Sequence, residues 1–135
     1  MSKLALFVVC SLTVTIGCHS GDHSGACAPI GKVTRVEVRI SPHGTASPSD
    51  YSIDNTERIH HLIEFANARR EVFQPSLYTM PAPEVTAGFY DQRNFVGAIG
   101  AGSNFLFVSC ASWKGIRNST DTEVGEFKKL VESPR

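Results

Sequence analysis

The chain has 135 residues, 41% hydrophobic and 19% charged, a globular composition that suits one domain and excludes a disordered chain. Lys plus Arg is 13 and Asp plus Glu is 13, and a basic cluster such as Arg69-Arg70, no longer than two residues, is far smaller than the basic surface that phosphate binding requires. Nucleic acid is therefore left out of the expected partners.

Met1-Ser2-Lys3 carries one positive charge, and Leu4 to Ile16 (LALFVVCSLTVTI) is an uncharged, mainly apolar run of 13 residues. A helix needs ~20 residues to cross a bilayer about 30 Å thick, so the run is too short to span. Its length and its basic lead-in fit the core of a secretory signal peptide. Gly17 to Pro29 (GCHSGDHSGACAP) then turns small and polar, the character of a tether.

Thr15-Ile16-Gly17-Cys18 resembles the lipobox of bacterial lipoproteins, with a small residue directly before the cysteine and threonine where the family usually has leucine. The resemblance covers only this leader. It implies cleavage between Gly17 and Cys18, acylation of Cys18 by palmitate-like chains, and a place in the bacterial cell envelope, lipid-anchored and facing the periplasm or the cell exterior. Ser24-Gly25-Ala26 offers an alternative cleavage point before Cys27. On the lipoprotein reading, residues 1–17 are signal, 18–30 a lipidated tether and 31–135 one folded domain. Two acyl chains suffice for stable anchoring, since each buried methylene contributes ~0.8 kcal/mol.

The chain has four cysteines. Cys10 leaves with the signal and Cys18 is taken by lipid, so Cys27 and Cys110 remain as a pair in an exported protein, where disulfides persist. A disulfide between them is expected; two free thiols are the alternative. The segment Cys18-His19…His23…Cys27 groups soft ligands, but its spacing matches no zinc or haem motif, and neither a metal nor a cofactor is expected.

In the folded part, Lys32 to Ile40 (KVTRVEVRI) alternates: Thr34, Val36, Val38 and Ile40 face one way, and Arg35, Glu37 and Arg39 the other. This period of two predicts a strand with one wet face. Ser41 to Ser52 reads as a loop marked by Pro42, Gly44 and Pro48. Asp54 and Glu57 predict a capped helix start, and Ile59, Leu62, Ile63, Ala66 and Phe73 mark its apolar stripe. That helix should end near Phe73, before Pro75. Gln74 to Pro83 reads as a proline-punctuated connection. Glu84–Tyr90, Phe95–Ala101 and Asn104–Cys110 are expected as three meandering strands. Thr120 to Glu123 is a capping box opening a last helix with Val124, Phe127, Leu130 and Val131 on its apolar stripe.

The order β-α-β-β-β-α predicts an α+β two-layer sandwich: a four-stranded, mainly antiparallel sheet with two helices on one face. If the disulfide joins strand ends, the first strand should lie beside the fourth.

No motif fixes a reaction, and no enzyme is expected. Gly97, Gly100 and Gly102 lead into another strand rather than a helix N-terminus, so they read as strand and hairpin glycines instead of a phosphate loop. His60-His61 reads as surface imidazole. Trp113 and Arg117, with Tyr78 in the proline-rich connection, are candidate partner contacts, together with the wet face of Arg35, Glu37 and Arg39. The expected function is non-covalent binding or scaffolding at the envelope, with a membrane and an envelope protein as partners. The alternative is an envelope enzyme or enzyme inhibitor with a small pocket near His43 or His60.

Overall fold

The computed structural model describes residues 27–41, 49–76, 79–111 and 113–132. Cys10, Cys18, His43, Tyr78 and the leader lie outside them. The elements run β1 (Arg35–Ile40), β2 (Ser49–Ile53), α1 (Thr56–Arg69), a 3₁₀ turn (Arg70–Val72), β3 (Gln74–Pro75), β4 (Val85–Asp91), β5 (Asn94–Ala101), β6 (Phe105–Cys110), β7 (Trp113–Asn118) and α2 (Asp121–Val131). The strands form one antiparallel sheet in the order β2-β1-β4-β5-β6-β7-β3.

The α+β class agrees with the sequence, but the expected four-stranded sheet is corrected to seven strands. The additions are β2, β3 and β7. Ser49–Ile53 (SDYSI) buries only Ile53, and Gln74–Pro75 is a two-residue edge whose residues are both exposed. Trp113–Asn118 (WKGIRN) fully buries only Gly115. Polar strands at or near a sheet edge lack the apolar alternation that marks a buried strand.

The register shows one buried face. Val36 pairs with Phe89, Val38 with Ala87, Ala87 with Ile99, and Ile99 with Val108. All belong to one core cluster with Ile59, Leu62, Phe65 and Ala66 of α1 and Val124, Phe127 and Val131 of α2. Phe65 and Phe127 meet at 5.7 Å between ring centroids. Leu62 and Phe127 are fully buried, each worth about 1.5–3 kcal/mol against exposure. Both helices therefore cover the same side of the sheet.

Asn55, not Asp54, caps α1: its Oδ1 accepts the Arg58 N–H at 2.9 Å. The regular helix stops at Arg69 and tightens into the 3₁₀ turn before the chain extends at Phe73. Thr120 caps α2 as expected, its Oγ1 accepting the Glu123 N–H at 3.3 Å.

Cys27 and Cys110 are at bonding distance, their Cα atoms 5.8 Å apart. Even so, β1 does not lie beside β6; it sits between β2 and β4. The error was to assume that Cys27 stands at the start of the strand. The segment 27–34 instead crosses one end of the sheet. Cys27 is at β6, Ile30 lines one small cavity with Gly97 of β5, and the Thr34 N–H donates to the Tyr90 carbonyl of β4 at 2.8 Å. The crossing from β6 to β1 covers three strand spacings, about 14 Å, within reach of an eight-residue extended segment at up to ~3.3 Å per residue.

Candidate functional site

The open face of the sheet has two halves. The chain leaving β3 at one edge must reach β4 in the middle, and the helices occupy the other face. It crosses the open side. The Ser76 N–H donates to the Lys114 carbonyl at 3.1 Å, and Met80, Pro81, Ala82 and Pro83 line a slot of about 340 Å³ with Phe107, Ser109 and Lys114. This cover accounts for Phe107, a side chain on the open face that is only 8% exposed. Its ring also fills the space above Gly100.

The other half is uncovered by the described residues and holds a groove of about 470 Å³ over β2, β1, β4 and β5. Thr86, Gly88 and Ala98 make a low floor. Glu37 and Arg39 of β1 and Asp50 and Ser52 of β2 form one wall; Tyr90 and Phe95 form the other. The alternation of β1 puts Arg35, Glu37 and Arg39 on this face, as the sequence implied. The antiparallel register brings Asp50 opposite Arg39 and Ser52 opposite Glu37. Arg39 donates through Nε to Asp50 Oδ1 at 3.1 Å and through Nη2 to Oδ2 at 3.3 Å. Arg35 pairs with Glu37 at 2.8 Å, and its guanidinium lies 5.1 Å from the centre of the Tyr90 ring. These exposed pairs contribute little stability; Arg39 and Asp50 stay open to solvent, whereas Nε of Arg35 is buried.

The aromatic wall arises from a bulge. Register shifts between Phe89 and Tyr90, so Phe89 pairs with Gly97 and Tyr90 with Phe95. The Tyr90 and Phe95 rings meet edge-to-face at 5.7 Å, in the range favoured for aromatic pairs. Phe95 is 44% exposed. The adjoining turn is held by Gln92, in the left-handed region at φ 58°, whose N–H donates to Thr34 Oγ1 at 2.7 Å.

The structure does not bring Trp113 or Arg117 to this groove. Trp113 pairs with Cys110, packs against the core, and its ring fills the space over Gly115 on the helix side. Arg117 is drawn inward: its guanidinium binds Glu123 and stacks 5.5 Å from the Phe73 ring centre. His60 bonds Glu64 at 3.2 Å on the exposed side of α1 and lines neither the groove nor the slot. The sequence missed Asp50, Ser52, Tyr90 and Phe95. An alternation signal existed for Tyr90, since Thr86, Gly88 and Tyr90 alternate with Val85, Ala87 and Phe89.

The strongest electrostatic cluster is structural. Glu123 accepts from Arg69 at 2.7 Å, from Ser119 at 2.6 Å and from Arg117. Burial alone would raise its pKa, but the hydrogen bonds from Ser119, Arg69 and Arg117 together hold it below the ordinary carboxyl value.

No known protein family matches the chain, and neither do the curated proteins or the solved structures. The described residues form an α+β domain with a seven-stranded antiparallel sheet covered on one side by two helices.

Proposed function

We propose that this chain is a bacterial envelope lipoprotein, held to a membrane through acylated Cys18, whose domain works by non-covalent binding in the groove of the open sheet face. The observation that carries the binding reading is that groove: about 470 Å³, with a floor of small residues between a charged and an aromatic wall. Paired charges orient a polar ligand and exposed rings supply contact area. The anchoring reading draws on the apolar run before Cys18. It also draws on the Cys27–Cys110 pair, which suits an oxidising compartment.

Two experiments test the two halves. Labelled fatty acid should enter the wild type and not Cys18→Ser; incorporation that survives the substitution removes the anchor. A photo-crosslinking residue at position 95 should capture a partner in intact envelope that the same residue at position 64, on the outer face of α1, does not. Identical captures from both positions remove the groove as the binding surface.

A further inference from the structure

We infer that one end of the domain docks on the bilayer that holds the acyl chains, and that this end is the one carrying the β4–β5 and β6–β7 turns. The inference rests on the anchoring reading and adds to it an orientation.

The disulfide fixes where the tether enters the domain. Cys18 and Cys27 are nine positions apart in the sequence, a separation that allows at most ~32 Å at ~3.6 Å per residue. Cys27 is bonded to Cys110, the last residue of β6. The same sheet end holds the β6–β7 turn, with Trp113 and Lys114, and the β4–β5 turn, with Arg93. The segment 27–34 lies along it and presents Lys32, whose ammonium is 3.6 Å from Asp91. The tether enters at this end, so this is the end that the anchor delivers to the membrane, and the β5–β6 turn at Ser103 lies a full strand length from the point of entry.

The surface at this end suits a lipid headgroup layer. Lys32, Arg93 and Lys114 are exposed; Asp91 lies beside Lys32 and offsets its charge, which leaves Arg93 and Lys114 as the net cations of this end. Asp54 and Glu57 lie at the start of α1, after β2, which three strands separate from β6. Phe95, at the start of β5, is one of two exposed large apolar side chains among the described residues, and Trp113 is partly exposed nearby. Exposed apolar ring surface and cations together favour a membrane interface carrying anionic lipid. A tethered surface needs little intrinsic affinity, because the anchor turns docking into an intramolecular step.

The chain contains a single tryptophan, Trp113, so its fluorescence reports on this end alone. The acylated mature chain is inserted into phosphatidylethanolamine vesicles with and without phosphatidylglycerol, and flotation is measured first. Trp113 emission is then read against lipids carrying a nitroxide quencher in the headgroup region. The expected result is quenching of Trp113 that strengthens with phosphatidylglycerol and weakens with added salt. In a Trp113→Phe, Ser103→Trp variant, the distant reporter stays unquenched. Lys114→Gln should lower the docked-to-undocked ratio about fivefold, the equivalent of ~1 kcal/mol per cation near an anionic surface. A chain that does not float overturns the anchor and the docking together. A chain that floats with Trp113 unquenched, or with equal quenching at positions 113 and 103, overturns the docking while leaving the anchor in place.

Discussion

Asn67 of α1 holds both backbone polar groups of Ile30: its Oδ1 accepts the Ile30 N–H at 2.8 Å and its Nδ2 donates to the Ile30 carbonyl at 2.9 Å. This side chain substitutes for a strand partner on a segment that has none there, and it keeps Ile30 buried against the core. Asn67→Ala should lower stability by about 1–3 kcal/mol, because two partly buried backbone groups lose their partners. Asn67→Asp should also destabilise, since an ionised carboxylate accepts but cannot donate. Urea unfolding midpoints check both. An unchanged midpoint in Asn67→Ala would show that the disulfide and the Thr34 hydrogen bonds hold the segment 27–34 without this side chain.

The Glu123 cluster sets a pH dependence. The folded-state pKa of Glu123 lies below the ordinary carboxyl value of 4.5. The sign follows: the unfolded chain binds this proton more readily, so the stabilisation is fully present above about pH 4.5 and is lost as pH falls through the folded-state pKa. Glu123→Gln should be less stable than wild type at pH 7, with Arg69 and Arg117 deprived of their shared carboxylate. The gap should narrow steadily as pH is lowered below about 4.5. Chemical denaturation of both proteins from pH 7 to pH 3 measures it. A gap that widens on acidification would reverse the assignment.

The Cys27–Cys110 bond spans 83 positions, for which the chain-entropy account gives up to about 4.5 kcal/mol, within an observed range of roughly 0–5. Reduction, or the paired substitution Cys27→Ser, Cys110→Ser, should therefore lower the urea midpoint markedly. Non-reducing mass spectrometry of the mature protein should find the two cysteines linked. Two free thiols in that protein, with no change of midpoint on adding reductant, would refute the bond.

Legibility followed burial. β1 was plain because Val36 and Val38 go inward while Arg35, Glu37 and Arg39 stay outward. β4, β5 and β6 were plain because their apolar residues form the centre of the sheet. β2 was lost in a polar stretch whose strand character depends on pairing with β1, a contact formed across the chain rather than within it. The same reason hid the groove. Arg39 is visible alone, but Asp50 becomes its partner only through register, and Phe95 meets Tyr90 only because a bulge shifts the pairing. The disulfide pairing was legible from cysteine arithmetic. The strand neighbours inferred from it were not, because the crossing segment 27–34 separates the bond from the strand.

Two glycines should respond to the same substitution with opposite sign. A Cβ built at Gly100 would lie 2.0 Å from Phe107 Cε1 and 2.8 Å from the Val85 carbonyl oxygen. The ring is held between the sheet and Met80–Pro83, and the carbonyl belongs to the neighbouring strand. Neither can retreat without disturbing the cover, so Gly100→Ala should cost about 1–3 kcal/mol by overpacking. Adding Phe107→Leu should recover part of that loss but not all, since the Val85 carbonyl still obstructs. Gly125 sits inside α2 with nothing within 4 Å of a built Cβ. Gly125→Ala should stabilise by about 0.5–1 kcal/mol, through better helix propensity and a less flexible unfolded chain. Urea midpoints of the single and double variants, measured side by side, decide the matter. If Gly100→Ala raised the midpoint, the Phe107 ring and the chain over it would have to be free to move away, and the covered half of the open face would then be open to ligands as well.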